Sequence, residues 1–413
     1  MEFSIPKFYG EYGRYIARFR SIPYYIDILT PVERRMLLSA YEIAGEKFVK
    51  SATVVGHCMG YYHPHGSSYS TLVKLVNLGL IDGEGGFGND KTLEPCAASA
   101  DRYTEVKLTN WLVDMAFKFI KFVPWDTYEF SQEPEFLPCP IPVGLIGHGI
   151  KQGISFYKSV IPRYTIQDLK NRMKYLLNKG NKISIKPFVQ DNKTITTNID
   201  QLLTTGKSQI KFVANHKYED TDNKNPRYVL TGLPINTSQL KKFIEDNNIN
   251  FNDGTSKNTC ITLYGKNIDY KKLINALTVQ VSFDCIVVNN DSKVFLSSID
   301  EMLLRNYEAF KDTVKRSLEF EMNKNESKLI ELDAIREIKE IIKLHKIDNV
   351  ETLLTYSKRN SKDLIKQVAT KYNINTLINI NTDSTKTQEH ILELKHKIDE
   401  IDETTYTYLD TIQ

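Results

Sequence analysis

Two stretches in the last third of the chain place apolar residues at spacings of three or four. The first comprises Leu329, Leu332, Ile335, Ile338 and Ile342, and the second comprises Ile391, Leu394, Ile398 and Ile401. Side chains three and four residues apart share one face of an α-helix, so both stretches predict helices with an apolar seam. The segment 352–380 between them has the composition of short helices and turns. The pattern predicts two helices that run out and back with a small globule at the far end; an ordinary helical hairpin in a monomer is the simpler alternative.

The middle of the chain reads as mixed α/β structure. Residues 227–234 have strand-like composition and end in turn residues, and residues 278–283 alternate polar and apolar side chains as a half-buried strand does. Residues 237–246, which lie between them, show a helical pattern. We therefore expect at least one sheet with packed helices in this region.

The N-terminal region combines short helical patterns with glycine-rich turns. Pro31 followed by an apolar and charged run predicts a helix with proline in its first turn, and further helices are expected from near Ser51 and near Ser67. Short helices joined by turns are compatible with a helix-turn-helix arrangement or with a plain helical bundle. A chain of 413 residues is too long for one compact core. The sequence thus predicts an α+β, multidomain protein with boundaries at 1–130, 131–300 and 301–413.

Bulk composition excludes several classes of protein. No apolar run approaches the roughly 18 residues that a membrane helix needs, and the N-terminus has no secretory signal pattern. The five cysteines are scattered and never spaced CxxC, which favours a reducing compartment over a disulfide framework or zinc ribbon. Net charge is only +3, but five arginines and two acids lie between Arg14 and Arg35. A nucleic-acid surface would therefore belong to the N-terminal part.

A succession of short motifs lies between Arg20 and Tyr103. In order, they are Arg20-Ser21-Ile22-Pro23, Pro31-Val32-Glu33-Arg34-Arg35, Lys50-Ser51-Ala52, Val54-Val55-Gly56, Tyr62-His63-Pro64-His65-Gly66, Asp82-Gly83-Glu84-Gly85-Gly86-Phe87-Gly88 and Arg102-Tyr103-Thr104-Glu105. Each is weak alone, but their order and spacing resemble the breakage-reunion subunit of type IIA DNA topoisomerases. That family includes the gyrase A subunit, the topoisomerase IV cleavage subunit and the T-even phage medium subunit. Weaker matches extend the resemblance through Leu137-Pro138 and Gly153-Ile154 to residues 276–283.

The resemblance implies a fold and an activity. The fold would be a winged-helix DNA-gate domain of the helix-turn-helix type, an α/β tower domain, and a long antiparallel coiled coil with a small helical C-gate globule. The activity would be that of an ATP-dependent type II DNA topoisomerase, an isomerase. Two copies of the chain, as a homodimer, would make a transient double-strand break and pass a second duplex through it.

The resemblance makes Tyr103 the nucleophile that forms a 5′-phosphotyrosyl link. Reversible breakage of a phosphodiester needs a nucleophile that keeps the bond energy in a covalent ester. A free phenol has a pKa of about 10, so a neighbouring guanidinium would assist its attack. Arg102 could supply that group, and by the resemblance Arg20 lies near the scissile phosphate. The alternative is that Tyr103 is one of 23 tyrosines and packs a core.

Several further residues are candidates for contacts with DNA. Arg34, Arg35 and Lys74 are expected to clamp phosphates, although a solvated helix face would explain them too. His63, His65 and Ser68 are expected at the cleavage site. Ile154 is the candidate wedge between bases, with a core position as the alternative. A metal site built from His63 and His65 with His57 and Cys58 is a weaker hypothesis, because the spacing lacks the form of known zinc sites.

The chain departs from the family pattern at several positions. Thr30 and Glu33 stand where lysine and histidine are usual, so two DNA contacts are expected to be lost. Asp101 precedes the catalytic pair in place of an apolar residue. The loop between Gly88 and Arg102 is longer by about three residues.

The chain has no visible ATP-binding motif and no acidic cluster of the kind that holds Mg²⁺. The resemblance implies a separate subunit that bears the ATPase and the Mg²⁺ site. We also expect double-stranded DNA as the other partner, no membrane, and a cytoplasmic location in a bacterial or virus-infected cell. The chain ends at the predicted returning helix, without a gyrase-type wrapping domain. This predicts relaxation or decatenation rather than supercoiling. The alternatives are a non-cleaving structural DNA-binding dimer with the same fold and a helix-rich interaction protein.

Overall fold

The structure is a computed structural model that describes residues 5–412, apart from 67, 129–130, 155, 196–197, 222–224, 257, 266–267 and 361. The chain divides into two compact units, which are described separately. The first unit comprises residues 1–310 with 408–413, and the second comprises 311–407. The predicted three-domain division, with boundaries at 130 and 300, stays a prediction.

The N-terminal part of the first unit combines short helices with short strands. Its helices are α1 (Ile5–Ile16), α2 (Pro31–Ile43), α3 (Ser51–His57), α4 (Tyr69–Asn77) and α5 (Asn110–Met115). Its strands are β1 (Val49–Lys50), β2 (Ile81–Glu84), β3 (Glu105–Leu108), β4 (Trp125–Tyr128) and β5 (Ser131–Pro134). The predicted helix with Pro31 in its first turn is confirmed, as is the helix from Ser51. The third predicted helix begins at Tyr69 rather than near Ser67, and Ser67 itself lies outside the described residues.

A three-stranded antiparallel sheet in the order β1-β3-β2 joins motifs that are distant in sequence. Lys50 and Glu84 both lie opposite Glu105 of the central strand β3. The Lys-Ser-Ala motif, the glycine-rich motif and the Arg-Tyr-Thr-Glu motif therefore meet at one end of this sheet. Buried Val106 and Leu108 of β3 face the neighbouring helices as core residues.

Two larger sheets form the rest of the first unit. The strands are β6 (Ile150–Ile154), β7 (Lys158–Pro162), β8 (Asn192–Ile195), β9 (Lys207–Ala214), β10 (His216–Thr221), β11 (Asn225–Leu230), β12 (Asn250–Asp253), β13 (Ile261–Tyr264), β14 (Thr278–Asp284), β15 (Ile286–Val288) and β16 (Val294–Leu296). One sheet has the order β6-β7-β14-β9-β8 and the other β10-β11-β13-β12, while β15 pairs with β16. The helices are α6 (Ile166–Leu176), α7 (Ile199–Thr205), α8 (Ser238–Asp246) and α9 (Tyr270–Leu277).

The sequence predictions for this region are confirmed by β11, α8 and β14. Helices α8 and α9 cover the four-stranded sheet, and we call this assembly the β10–β13 body. Its core contains Leu230 of β11, Phe243 of α8, Leu263 of β13 and Leu273 of α9. One further core residue, Leu93, comes from the N-terminal part of the chain.

The second unit is helical. Its helices are α10 (Ile299–His345), which begins in the first unit, α11 (Val350–Arg359), α12 (Asp363–Lys371), α13 (Ile374–Asn379), α14 (Thr385–Asp399) and α15 (Ile401–Thr411). Ion pairs of Lys311 with Asp402, at 3.1 Å, and of Glu321 with His390, at 3.0 Å, show that α10 is antiparallel to the returning helices.

The predicted outgoing helix is confirmed by α10. The predicted returning helix is divided in two, because Ile391, Leu394 and Ile398 lie in α14 whereas Ile401 begins α15. Ile335, Ile338 and Ile342 of the predicted seam are buried in the core formed with α11, α12 and α13. Among the described helices, none is both long enough and apolar enough to cross a membrane.

Candidate active site

Tyr103 ends a single 3₁₀ turn, Asp101–Tyr103, immediately before strand β3. Its side chain is 64% exposed, so the alternative that it packs a core is wrong. The guanidinium carbon of Arg102 lies 4.5 Å from the centroid of the Tyr103 ring. The structure therefore presents a phenol and a neighbouring cation together at the surface, where a large substrate can reach both.

Hydrogen bonds support both ends of this turn. After the turn, the buried Thr104 donates its hydroxyl to Ser51 Oγ at 2.8 Å, and the Ser51 N–H donates to the Thr104 carbonyl at 2.9 Å. Before the turn, the Tyr69 hydroxyl donates to the Ser99 carbonyl at 2.7 Å. Sequence reasoning placed Ser51 and Thr104 within motifs but assigned them no role, and it missed Tyr69. Their hydrogen bonds cross between segments far apart in sequence, so no local pattern reveals them.

The glycine-rich segment packs against the same turn. Gly85 has φ +105°, and a Cβ added there would lie 3.0 Å from the Tyr103 carbonyl oxygen. Only glycine tolerates this combination of backbone conformation and close approach. On the other side, Lys50 Nζ lies 2.6 Å from Glu105 Oε1. The motifs around Tyr103 thus serve to hold the turn in place.

Arg20 belongs to a different element, the helical turn Ala17–Ser21, and its side chain is partly exposed. Its predicted position beside the scissile phosphate, together with Tyr103, stays a prediction.

Arg34 and Arg35, which were predicted to clamp phosphates, are both buried and paired, and their contact with DNA stays a prediction. Arg34 makes two hydrogen bonds to Asp27, at 2.7 and 3.0 Å, and Arg35 Nη2 donates to Glu133 at 2.8 Å. Their side chains are 6% and 0% exposed. Burial alone would lower the pKa of Arg34, but Asp27 outweighs it and raises that pKa. A buried guanidinium needs such a partner, so neither side chain can reach DNA without breaking its pair.

Arg35 instead contacts one of the predicted histidines. Its Nη1 lies 3.1 Å from His63 Nδ1, and the His63 ring lies 5.3 Å from the ring of the exposed His65. Ser68 is 4% exposed and its hydroxyl lies against the Cys58 thiol. Ser68 is therefore buried, and its predicted contact with DNA stays a prediction. Of the three candidates His63, His65 and Ser68, the structure places the side chain of His65 at the surface.

Glu33, which was expected only to remove a DNA contact, is the centre of a buried charge cluster. Lys151 Nζ contacts its carboxylate, and Arg163 Nη2 and Lys74 Nζ lie 3.6 and 3.4 Å from it. Burial would raise the pKa of Glu33, but the charges of Lys151, Lys74 and Arg163 outweigh it and hold that pKa below its usual range. The Lys74 side chain is 44% exposed, so it is the member of this cluster that a DNA phosphate can approach.

Ile154 lies at the end of β6, at the tip of the β6–β7 hairpin, and is 67% exposed. The alternative of a core position is therefore wrong. Phe156 and Tyr157 of the same tip are also exposed. An apolar hairpin tip of this kind is suited to contact with bases or with another apolar surface.

The residues described by the structure do not form a metal site. No three His, Cys, Asp or Glu side chains among them converge on one point, which contradicts the metal hypothesis for His57, Cys58, His63 and His65. Near Tyr103, the carboxylate of Glu105 is paired with Lys50.

Comparison with known proteins identifies the family. The family model for the A subunit of DNA gyrase and topoisomerase IV matches residues 20–413. The chain is 30% identical over 263 residues to the A subunit of DNA topoisomerase 4 from Neisseria gonorrhoeae, which covers 57% of this chain and 33% of the relative. It is 31% identical over 264 residues to the A subunit of DNA gyrase from Helicobacter pylori strain J99, covering 58% and 31%. It is 26% identical over 397 residues to the A subunit of DNA gyrase from Leptospira biflexa, covering 85% and 45%.

These matches cover between about a third and a little under half of the length of each relative. The family match, in contrast, extends over nearly the whole of this chain and includes every element of the site. The chain therefore belongs to the family of DNA gyrase and topoisomerase IV A subunits, which are type II topoisomerases.

Proposed function

We propose that this chain is the DNA-cleaving and rejoining subunit of an ATP-dependent type II topoisomerase, with Tyr103 as the nucleophile. The observation that carries the proposal is the exposed phenol of Tyr103 with the Arg102 guanidinium 4.5 Å from its ring, on a turn held from both sides. A tyrosine with a purely structural role would have no need of such support for an exposed side chain.

In the proposed reaction, the Tyr103 hydroxyl attacks a backbone phosphorus of DNA. A bond forms between Tyr103 Oη and phosphorus, and the bond from phosphorus to the 3′ oxygen breaks. The phenol gives up its proton and the leaving 3′ oxygen acquires one, so the products are a 5′-phosphotyrosyl ester and a free 3′ hydroxyl. The guanidinium of Arg102 stabilises the negative charge that develops on the phosphate oxygens. The reverse reaction rejoins the strand and restores the phenol.

The architecture is consistent with the remaining parts of the proposal. We assign α2, α3 and α4 with the β1-β3-β2 sheet to a winged-helix DNA gate, and the sheets of residues 131–300 to a tower. Helices α10 to α15 would form the coiled coil and C-gate of a homodimer. The exposed Ile154 would be the wedge that enters a base step. Relaxation or decatenation would follow from passage of a second duplex.

A separate subunit would supply ATP hydrolysis and Mg²⁺. When bound beside the scissile phosphate, Mg²⁺ would act as a Lewis acid toward phosphate oxygens.

Trapping of covalent protein–DNA adducts tests the proposal. We expect wild-type protein, with Mg²⁺ and the ATPase subunit, to form adducts on denaturation, and Tyr103→Phe to lower their yield at least about a thousandfold. Tyr264→Phe, which removes the hydroxyl of another exposed tyrosine, is the matched control and should leave the yield unchanged.

Two results would contradict the assignment. Adducts that persist in Tyr103→Phe would show that another residue is the nucleophile. Duplex binding without adducts in either protein would favour the alternative function, a structural DNA-binding dimer that does not cleave.

A further inference from the structure

The loop 89–96, which we call the anchor loop, lies in the stretch between Gly88 and Arg102. It leads from the glycine-rich segment toward the turn Asp101–Tyr103, which carries the proposed nucleophile and which we call the catalytic turn. The two ends of the loop pair with each other, and its central part is inserted into the β10–β13 body. The contacts that hold it come from three separate segments of that body.

The first contact is apolar. Leu93 is 3% exposed and is part of the core of the β10–β13 body, with residues such as Leu230 and Leu263. Its backbone N–H donates to Asp253 Oδ2, at the end of β12, at 3.2 Å. An apolar side chain that is fully buried in a core other than that of its flanking segments ties the two parts together, because withdrawing it would expose its surface to water.

Two polar contacts flank Leu93. On one side, the Thr259 hydroxyl donates to the Lys91 carbonyl at 3.2 Å. On the other side, Lys241 Nζ of α8 lies 2.9 Å from Glu94 Oε1. The exposed ion pair contributes little by itself. With the buried Leu93 between them, however, these contacts fix both the depth and the direction of the anchor loop.

The base of the loop is tied to the catalytic turn. Asn89 and Cys96 exchange two backbone hydrogen bonds, each 3.0 Å long, and Gly88, at φ +83°, allows the Cys96 carbonyl to approach closely. The Ser99 N–H then donates to the Gly86 carbonyl at 2.9 Å. From Cys96 to Tyr103 the chain has few residues and is hydrogen-bonded on the way, so movement of the anchor loop has a direct route to the turn.

We propose that the anchor loop is a positioning device through which the β10–β13 body sets the place of Tyr103 and thereby the rate at which Tyr103 attacks DNA. Leu93 is the main positioning residue, and it acts through the backbone rather than by touching substrate. This inference rests on the proposed function of Tyr103. A misplacement of about 1 Å at a reacting group can lower a rate about a hundredfold, so a modest shift of the turn suffices.

Two variants test the coupling. Leu93→Ala removes the anchor, and insertion of two glycines between Ala97 and Ala98 leaves the anchor docked but lengthens its connection to the turn. The measurements are the rate of adduct formation, the rate of rejoining after Mg²⁺ is removed, and the affinity for duplex DNA. We expect both variants to slow adduct formation about tenfold or more, with duplex affinity unchanged within about twofold. Leu93→Met should restore most of the rate, since it refills the core.

The control is Phe251→Ala, which truncates an exposed apolar side chain of β12 in the same body and should leave every rate unchanged. Hydrogen exchange at residues 91–96 shows whether the loop is released. The inference would be overturned if Leu93→Ala released the loop but formed adducts at the wild-type rate, or if the glycine insertion formed adducts at that rate. Either result would leave the proposed function intact. Absence of adducts in the wild type would overturn both. If Leu93→Ala fails to fold, the insertion variant decides alone.

Discussion

Helix α2 and the catalytic turn use arginine in opposite ways, although the family motifs include both. Arg34 and Arg35 of α2 are buried, and each is paired with a carboxylate. Arg102 of the turn is exposed and lies over the ring of Tyr103. A buried charge must be neutralised within the protein, whereas an exposed charge remains available for a phosphate. The buried pairs of the first region are suited to stability and alignment, and the exposed pair of the second is suited to the chemistry of the proposed function.

The largest expected effect is in the buried region. Glu33→Gln leaves the charges of Lys151 and Arg163 without their anion, and we expect it to lower the free energy of unfolding by about 3 to 5 kcal/mol. The pKa of Glu33 is held below its ordinary value of 4.5 in the fold. The stabilisation it provides is therefore fully present above about pH 4.5 and is lost progressively as the pH falls below that value.

Urea unfolding at pH 7 and at pH 4 measures this effect. The difference in the free energy of unfolding between the wild type and Glu33→Gln should be smaller at pH 4 than at pH 7. Glu245→Gln, which neutralises an exposed acid of α8, should change stability by less than about 0.5 kcal/mol. If this difference is small at pH 7, or if it is larger at pH 4 than at pH 7, the charge cluster around Glu33 does not stabilise the fold.

The next largest effect is expected in the catalytic turn, and it concerns the reaction rate rather than stability. Arg102→Ala should slow adduct formation about a hundredfold, equivalent to about 2.7 kcal/mol of transition-state stabilisation, as loss of one charge-stabilising donor does. Its free energy of unfolding should stay within about 0.5 kcal/mol of the wild type, since the side chain is exposed. Quenched-flow cleavage and urea unfolding are the two measurements. If Arg102→Ala lowered the free energy of unfolding by as much as it raised the activation free energy of adduct formation, the distinction between the two regions would be lost.

The smallest expected effect concerns Lys74 of α4, which combines both kinds of environment because it contacts buried Glu33 and is itself half-exposed. Lys74→Ala should weaken duplex binding a few-fold and lower the slope of log affinity against log salt concentration by about 1. Binding titrations between about 50 and 200 mM salt measure the slope. Lys343→Ala removes an exposed charge of α10 as a control. A slope unchanged by Lys74→Ala would mean that this lysine serves Glu33 alone.

Local elements and the centre of the site were predictable from sequence. Helix α2, the long helix α10 and strand β14 follow from proline placement and apolar spacing, which act over a few residues. The motif succession placed Tyr103 and Arg102 together because they are neighbours in the chain. The family of the chain was likewise identifiable, since the motifs keep their order across the first hundred residues.

Which charged side chains reach the surface was not predictable in this way. The partner of Arg35 is Glu133, and the partners of Glu33 include Lys151 and Arg163, all far along the chain. No periodicity or propensity encodes such pairings. The position of Leu93 in the β10–β13 core is of the same kind. Local elements and the chemical identity of the site thus follow from residues that are close together in the chain, whereas the role of the surrounding charges follows from burial and long-range pairing, which depend on how distant segments pack.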